Sequence, residues 1–158
     1  PREILPISVV VSGLVNFFIS CIIILLFLLL SGVGITWTIL YLPLIVFIQF
    51  MLSLGFVFIL SALNVYVRDV EYIVNFVLTL AFYATPILYD ASLIPTKLRW
   101  ILELNPMKHM IEAYRNIFYY QVSPNMGTLL LLGLFSFGVM VIGYFIFKKL
   151  ERGFAEEV

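Results

Sequence analysis

The chain has 158 residues, 63% hydrophobic and 11% charged, with a formal net charge of zero and a mean hydropathy of +1.14. That composition excludes a water-soluble globular domain, and the balanced charge offers no electrostatic footprint for nucleic acid. A single His and a single Cys leave neither a metal-ligand cluster nor an intrachain disulfide.

No charged residue occurs from Ile4 to Val67. At about 1.5 Å per residue, that stretch can cross a bilayer core of roughly 30 Å twice. The expected fold class is therefore an all-α integral membrane protein, with four transmembrane helices and a short external amphipathic helical hairpin. The start at Pro1-Arg2-Glu3 reads like the end of a loop, so the chain is expected to be the C-terminal part of a longer protein. Its first apolar run is too long for a signal peptide and has no small-residue cleavage site, which makes it a span.

The first span is expected over about 7–30. Ser8, Ser12, Asn16 and Ser20 recur every four residues and share one helical face. In lipid such a face marks either a packing surface for another helix or a polar lining of a path. Ser31-Gly32-Val33-Gly34 then breaks the helix, and Trp37 and Tyr41 suit an interfacial aromatic belt. The second span returns over about 37–63, with Pro43 near its start and Gln49, Ser53 and Gly55 turned toward other helices.

Asn64 to Glu71 is the first charged island, placed on the same side as Arg2 and Glu3. It reads either as a solvated loop that stops the helices or as a contact surface for a cytoplasmic partner. The third span is expected over about 72–89, close to the shortest length that crosses. Tyr72, Asn75, Phe76, Thr79 and Tyr83 form a stripe of aromatic and polar groups along it. That stripe serves ordinary helix packing or faces a pathway. Pro86 is expected to kink or end the helix.

A hairpin is expected over about 93–121, hinged at Asn105-Pro106. Its first arm would present Ile94, Leu98, Ile101 and Leu102. The second would present Met107, Met110, Ile111, Tyr114, Ile117 and Phe118, leaving Lys108, Glu112 and Arg115 off that face. Asn105 suits an N-cap and Pro106 a first-turn position. Helical spacing pairs Arg99 with Glu103, Lys108 with Glu112, and Glu112 with Arg115. His109 is expected to be a solvated or hydrogen-bonded surface residue. The last span is expected over about 128–147, with Gly133, Ser136 and Gly143 as close-packing positions, followed by Lys148, Lys149, Glu151, Arg152 and a short acidic tail. Five cations lie on the side of the termini and four on the hairpin side, a narrow bias that puts the termini and the Arg68 loop in the cytoplasm.

No carboxylate, lysine or arginine falls within the four spans, and no phosphate-binding glycine loop or nucleophile–base arrangement is present. The chain is expected not to be an enzyme.

Four segments carry a family resemblance: Pro-Arg-Glu-Ile-Leu-Pro at 1–6, Leu-Asn-Val-Tyr-Val-Arg-Asp-Val-Glu at 63–71, Ala-Thr-Pro-Ile-Leu-Tyr at 84–89, and Leu-Asn-Pro-Met-Lys-His-Met-Ile-Glu-Ala-Tyr-Arg at 104–115. The Leu-Glu-Arg-Gly-Phe-Ala-Glu ending at 150–156 also fits. In these the chain resembles the C-terminal two-thirds of the transmembrane subunit of ABC-2 type exporters, most closely permeases for polysaccharides such as O-antigen and teichoic acid. The resemblance implies the third to sixth spans of a six-span permease in the bacterial cytoplasmic (inner) membrane. It also implies a homodimer working with two copies of an ATP-binding subunit. No cofactor would reside in this chain; ATP and Mg would be bound by the partner, and the cargo would be a lipid-linked glycan.

Under that resemblance Tyr72, Asn75, Phe76, Thr79 and Tyr83 would line the substrate path. Arg2, Glu3, Arg68, Asp69 and Glu71 would lie on the ATPase-coupling side. Asn105, Pro106, Met110, Glu112, Tyr114 and Arg115 would belong to an external gate hairpin whose apolar faces close the exit. The alternatives are an ABC-2 exporter of a drug, peptide or lipid, or a membrane scaffold that transports nothing.

Overall fold

A computed structural model describes residues 2–153; the acidic tail and positions 154–156 of the terminal motif lie outside the described residues, as does Pro1. Among the described residues every regular element is helical. Its six α-helices are α1 (Ile4–Leu30), α2 (Leu42–Tyr66), α3 (Val70–Ala84), α4 (Arg99–Glu103), α5 (Pro106–Arg115) and α6 (Met126–Glu151). A 3-10 turn at Trp37–Tyr41 leads into α2, two more at Ala91–Leu93 and Thr96–Leu98 precede α4, and a π turn at Asn116–Tyr120 follows α5. Three helical segments, Ile4–Leu30, Trp37–Tyr66 and Met126–Glu151, are long and apolar enough to cross a membrane.

Local chemistry explains where these helices start and stop. Gly32 and Gly34, at φ 75° and 79°, supply the left-handed backbone that ends α1. The Asn125 side chain caps α6 by accepting from the amides of Gly127 and Thr128 at 2.9 and 3.2 Å. Asn105 caps α5 through the Met107 amide at 2.9 Å, with Pro106 in the first turn, as the sequence predicts.

α2 is the hub. Its Ile45, Ile48, Met51 and Leu52 are buried against Leu129 and Leu132 of α6, and its Phe58 and Ala62 cluster with Phe147 of α6. The two helices therefore run parallel, and the α3–α5 segment is the crossover between them. They approach closely because Gly55 and Gly143 meet at the crossing, and Ser136 is fully buried there. Val10 of α1 packs into the Phe58 cluster from the other side.

Three expectations change. The third helix ends at Ala84 instead of reaching Tyr89: Thr85 is extended ahead of Pro86, whose ring disfavours helical backbone in the preceding residue. With 15 residues α3 rises only about 22 Å, short of the roughly 30 Å core. The expected four membrane-length helices are thus three long ones and a shorter apolar one. Secondly, the first arm of the hairpin is not one helix over 94–104; extended Ile94 and Pro95 split it into 3-10 turns and the five-residue α4. Of its expected apolar face only Leu102 is buried, while Leu98 and Ile101 are half exposed. Thirdly, Ser8, Ser12, Asn16 and Ser20 are all exposed, and α1 turns Pro6, Val10 and Cys21 inward instead.

Candidate functional site

The residues of interest fall into three groups along the bundle. The first lies where α1 begins and where α2 and α6 end. Lys148 forms ion pairs with Glu3 and, at 3.2 Å, with Glu151. Arg2 donates to the Glu151 carbonyl at 3.3 Å, and the Tyr66 hydroxyl donates to the Leu150 carbonyl at 2.8 Å. These contacts bind the start of α1 and the end of α2 to the end of α6. Arg68 and Asp69 sit in the tight connection between α2 and α3 and are exposed, as is Glu71. The structure thus brings Arg2 and Glu3 together on α6 and leaves Arg68 and Asp69 exposed in the connection after α2.

The second group is the stripe on α3. Tyr72, Phe76 and Tyr83 are 76%, 65% and 67% exposed, and Asn75 and Thr79 are exposed as well. Among the described residues α3 buries no side chain completely, although Val70, Val74 and Ala81 are half-buried. The Thr79 hydroxyl donates to the Asn75 carbonyl at 2.8 Å, which is how a lone helix hydroxyl satisfies itself in an apolar medium. Asn75 and Glu71 share a groove of about 220 Å³ with Ser61 and Asn64 of α2, so the lower end of the stripe reaches the charged connection.

The third group is the crossover. α5 does not rest on the surface: Met110 and Ala113, with Ile117 of the following π turn, are buried in the same core as Ile45, Ile48, Leu129 and Leu132. Its Tyr114 hydroxyl donates to Oε1 of Gln49 at 2.5 Å, and burial pushes the phenol upward so that it remains a donor. Thr38, fully buried, donates to the Ile117 carbonyl at 3.2 Å. Met107, expected on the apolar face, is instead 45% exposed.

Lys108, expected off the buried face, is nearly buried and paired with Glu103 of α4 and, at 3.6 Å, with Glu112. A lysine can be buried this way because its ammonium is met by two carboxylates that still see water. His109, one-fifth exposed, places Nε2 2.7 Å from the Glu103 carbonyl oxygen. The expected pairing of Lys108 with Glu112 is present. Arg99 and Arg115 go elsewhere: Arg99 donates to the carbonyls of Ile94 and Ser92, and Arg115 to those of Pro86 and Ile87. Each guanidinium thereby satisfies carbonyls that no helix claims.

Sequence reasoning missed several connections between elements, one of them inside the two motifs. Nδ2 of Asn105 donates to Oγ1 of Thr85 at 3.0 Å, and Thr85, 3% exposed, passes the bond on to the Ala81 carbonyl at 2.7 Å. The cap of α5 is thus tied to the end of α3. Both residues immediately precede a proline inside a motif, Ala-Thr-Pro and Leu-Asn-Pro, and that shared setting was the available signal.

Residues 1–119 match the family described as ABC-2 type transporter. The chain is similar to the O-antigen export system permease protein RfbA of Myxococcus xanthus, 36% identical over 160 residues, which cover 100% of this chain and 62% of that protein. Two permeases of the same name from Klebsiella pneumoniae are 34% identical over 99% of the chain and 60% of their own length. The chain spans about three-fifths of the length of these curated relatives. It is a multi-pass membrane domain of the transport-permease class, and it belongs to the ABC-2 type transporter family.

Proposed function

We propose that this chain forms part of the membrane-spanning subunit of an ATP-driven exporter that carries lipid-linked polysaccharide, of the O-antigen or teichoic acid type, across the bacterial cytoplasmic membrane. The observation that carries this reading is the similarity, along the whole chain, to permeases named for O-antigen export. The permease would work as a homodimer with a separate ABC ATPase, which binds ATP and Mg and supplies the energy.

The physical arrangement supports the same division of labour. A subunit that changes state because its partner hydrolyses ATP needs rigid levers and a tolerant path. The parallel α2–α6 pair, locked at Gly55 and Gly143, is such a lever. The exposed Tyr72, Phe76 and Tyr83 are suited to the path, since aromatic faces stack on sugar rings without demanding one sequence of sugars. The Arg68–Asp69 connection is the natural contact for the ATPase, being charged, exposed and continuous with α3. α5, with Met110 in the core and Glu112 and Arg115 at its rim, would form the outer gate and report changes in the α2–α6 pair directly.

Complementation tests the reading. The full-length gene, expressed with its ATPase in a strain that cannot export its O-antigen, should restore surface glycan detected by antibody. Accumulation of lipid-linked glycan in the cytoplasmic leaflet despite normal amounts of both subunits would overturn it.

A further inference from the structure

The crossover holds a further feature, which shares only Arg115 and its carbonyl partners with the three groups. Where α3 has ended and the π turn closes, a groove of about 420 Å³ opens between Tyr89 and Asp90 on one side and Arg115, Tyr119 and Tyr120 on the other. That volume is within the range of small-molecule sites. The π turn sets its wall. By widening the last turn of helix it throws Tyr119 and Tyr120 outward, 75% and 58% exposed, with rings 5.0 Å apart and nearly perpendicular at 86°. Gln121 follows in the left-handed region at φ 53° and is held there by its side chain, which donates to the Gly34 carbonyl at 3.0 Å. Single-turn π segments and strained non-glycine residues of this kind gather at functional sites.

The polar groups that line the groove are equally well held. Oδ1 of Asp90 accepts from the Ser92 amide at 2.9 Å, which fixes the carboxylate at the groove rim. The amide and hydroxyl of Ser92, with Arg115 and Arg99 beyond, hold the Asp90 carboxyl below the usual carboxylate range, so it is an acceptor at neutral pH. Nη2 of Arg115 is committed to the carbonyls of Pro86 and Ile87, which orients the rest of the guanidinium as a donor. The Tyr89 hydroxyl donates within the α3 terminus, to Tyr83 or Ala84. Two crossed aromatic faces, one carboxylate and one guanidinium thus converge on one space.

We propose that this groove is a binding subsite for a neutral hexose unit of the exported glycan, a proposal that rests on the exporter reading given above. The axial C–H face of a pyranose ring meets the electron-rich face of Tyr119 or Tyr120. Asp90 accepts from a pair of neighbouring sugar hydroxyls while Arg115 donates to another, and charge-assisted bonds of this type are the strong ones. The balance of charge selects the ligand. One carboxylate beside one guanidinium leaves the groove with no net charge, which suits a neutral sugar, whereas the attraction of a phosphate or a uronic acid to Arg115 is opposed by Asp90.

Saturation-transfer NMR on the full-length permease with its ATPase, in lipid nanodiscs, tests this with four probes: methyl mannoside, methyl galactoside, glucuronate and inorganic phosphate. At least one neutral glycoside should receive saturation. That signal should fall about tenfold in Tyr119→Ala and in Asp90→Asn, and persist in Tyr119→Phe. Asp90→Asn keeps the size and the Oδ1 acceptor, so the test stands even if the tyrosine variant folds poorly. No transfer to either glycoside, transfer that neither variant reduces, or stronger binding of phosphate or glucuronate would each overturn the subsite. Glycan export by the unaltered permease in the same strain separates the two readings. Export without glycoside binding removes the subsite alone; absence of export removes both.

Discussion

Gly55 of α2 and Gly143 of α6 meet backbone to backbone: a Cβ on Gly143 would overlap the Gly55 carbonyl, and one on Gly55 would lie 2.7 Å from the Met140 nitrogen. In lipid there is no hydrophobic gain from joining two apolar helices, so the close approach itself supplies the attraction. Gly143→Ala should force the helices apart and cost about 1–3 kcal/mol. Gly138, on the same helix but with nothing within 4 Å, should accept alanine with no loss. Thermal unfolding of the purified permease in detergent measures both; equal effects at the two glycines would disprove the lever.

The Asn105–Thr85 bond can be separated from the cap. Asn105→Asp keeps the acceptor for the Met107 amide and loses the Nδ2 donor, while Asn105→Ala loses both. Alanine should cost about 1 kcal/mol more than aspartate, the worth of a helix cap. If the tie between α3 and α5 matters for gating, both variants should slow glycan export to the same degree at equal expression.

Acid should loosen the crossover. The hydrogen bond from Lys108 to Glu103 comes first among the causes that hold the Glu103 carboxyl below the usual range, followed by the charges of Lys108 and His109. A depressed carboxyl contributes stability that is present above its unfolded value, about 4.3, and is lost as the pH falls through the lower folded value. Melting temperature should therefore decline below about pH 4, and Lys108→Met should flatten that decline. The effect should be modest, since Glu103 is largely exposed and screened by solvent. An unchanged pH profile in the variant would remove Lys108 as the source.

Phe76 and Tyr83 give a prediction that separates function from folding. Both are about two-thirds exposed, so replacing them together by alanine should leave expression and melting temperature nearly unchanged. On the proposed exporter function, export of the lipid-linked glycan, followed by surface labelling, should drop severalfold. Unaltered export would take α3 out of the path.

Charge reversal at Arg68 and Asp69 addresses coupling. Neither side chain is buried, and the helices on either side end there, so Arg68→Glu with Asp69→Arg should fold normally. On the proposed exporter function, ATP hydrolysis stimulated by glycan should fall in the reconstituted complex while the basal rate of the ATPase stays the same. A reversed pair that still supports full stimulation would make the connection a loop and nothing more.

How far the sequence carries depends on the kind of signal. Charge is one-dimensional information: a lysine or aspartate is costly in lipid, so the uncharged run from Ile4 to Val67 announces its medium without any structure. Caps are local too, and Asn105-Pro106 marks the start of α5 because the amide it satisfies is two residues away. Glycine at 55 and 143 also speaks early, since only a close neighbour rewards its presence in a span.

Tertiary structure decided the rest, for a reason specific to membranes. In water the apolar face of a helix is the packed face, but in lipid the outward residues are just as apolar. Periodicity therefore could not tell that α1 would bury Val10 and Cys21 and leave Ser8, Ser12, Asn16 and Ser20 exposed. Nor could it tell that Lys108 would turn inward between Glu103 and Glu112, or that Tyr119 and Tyr120 would face Asp90 across a groove. Those pairings join residues from different elements, and only the route of the chain from α3 back to α6 brings them within reach.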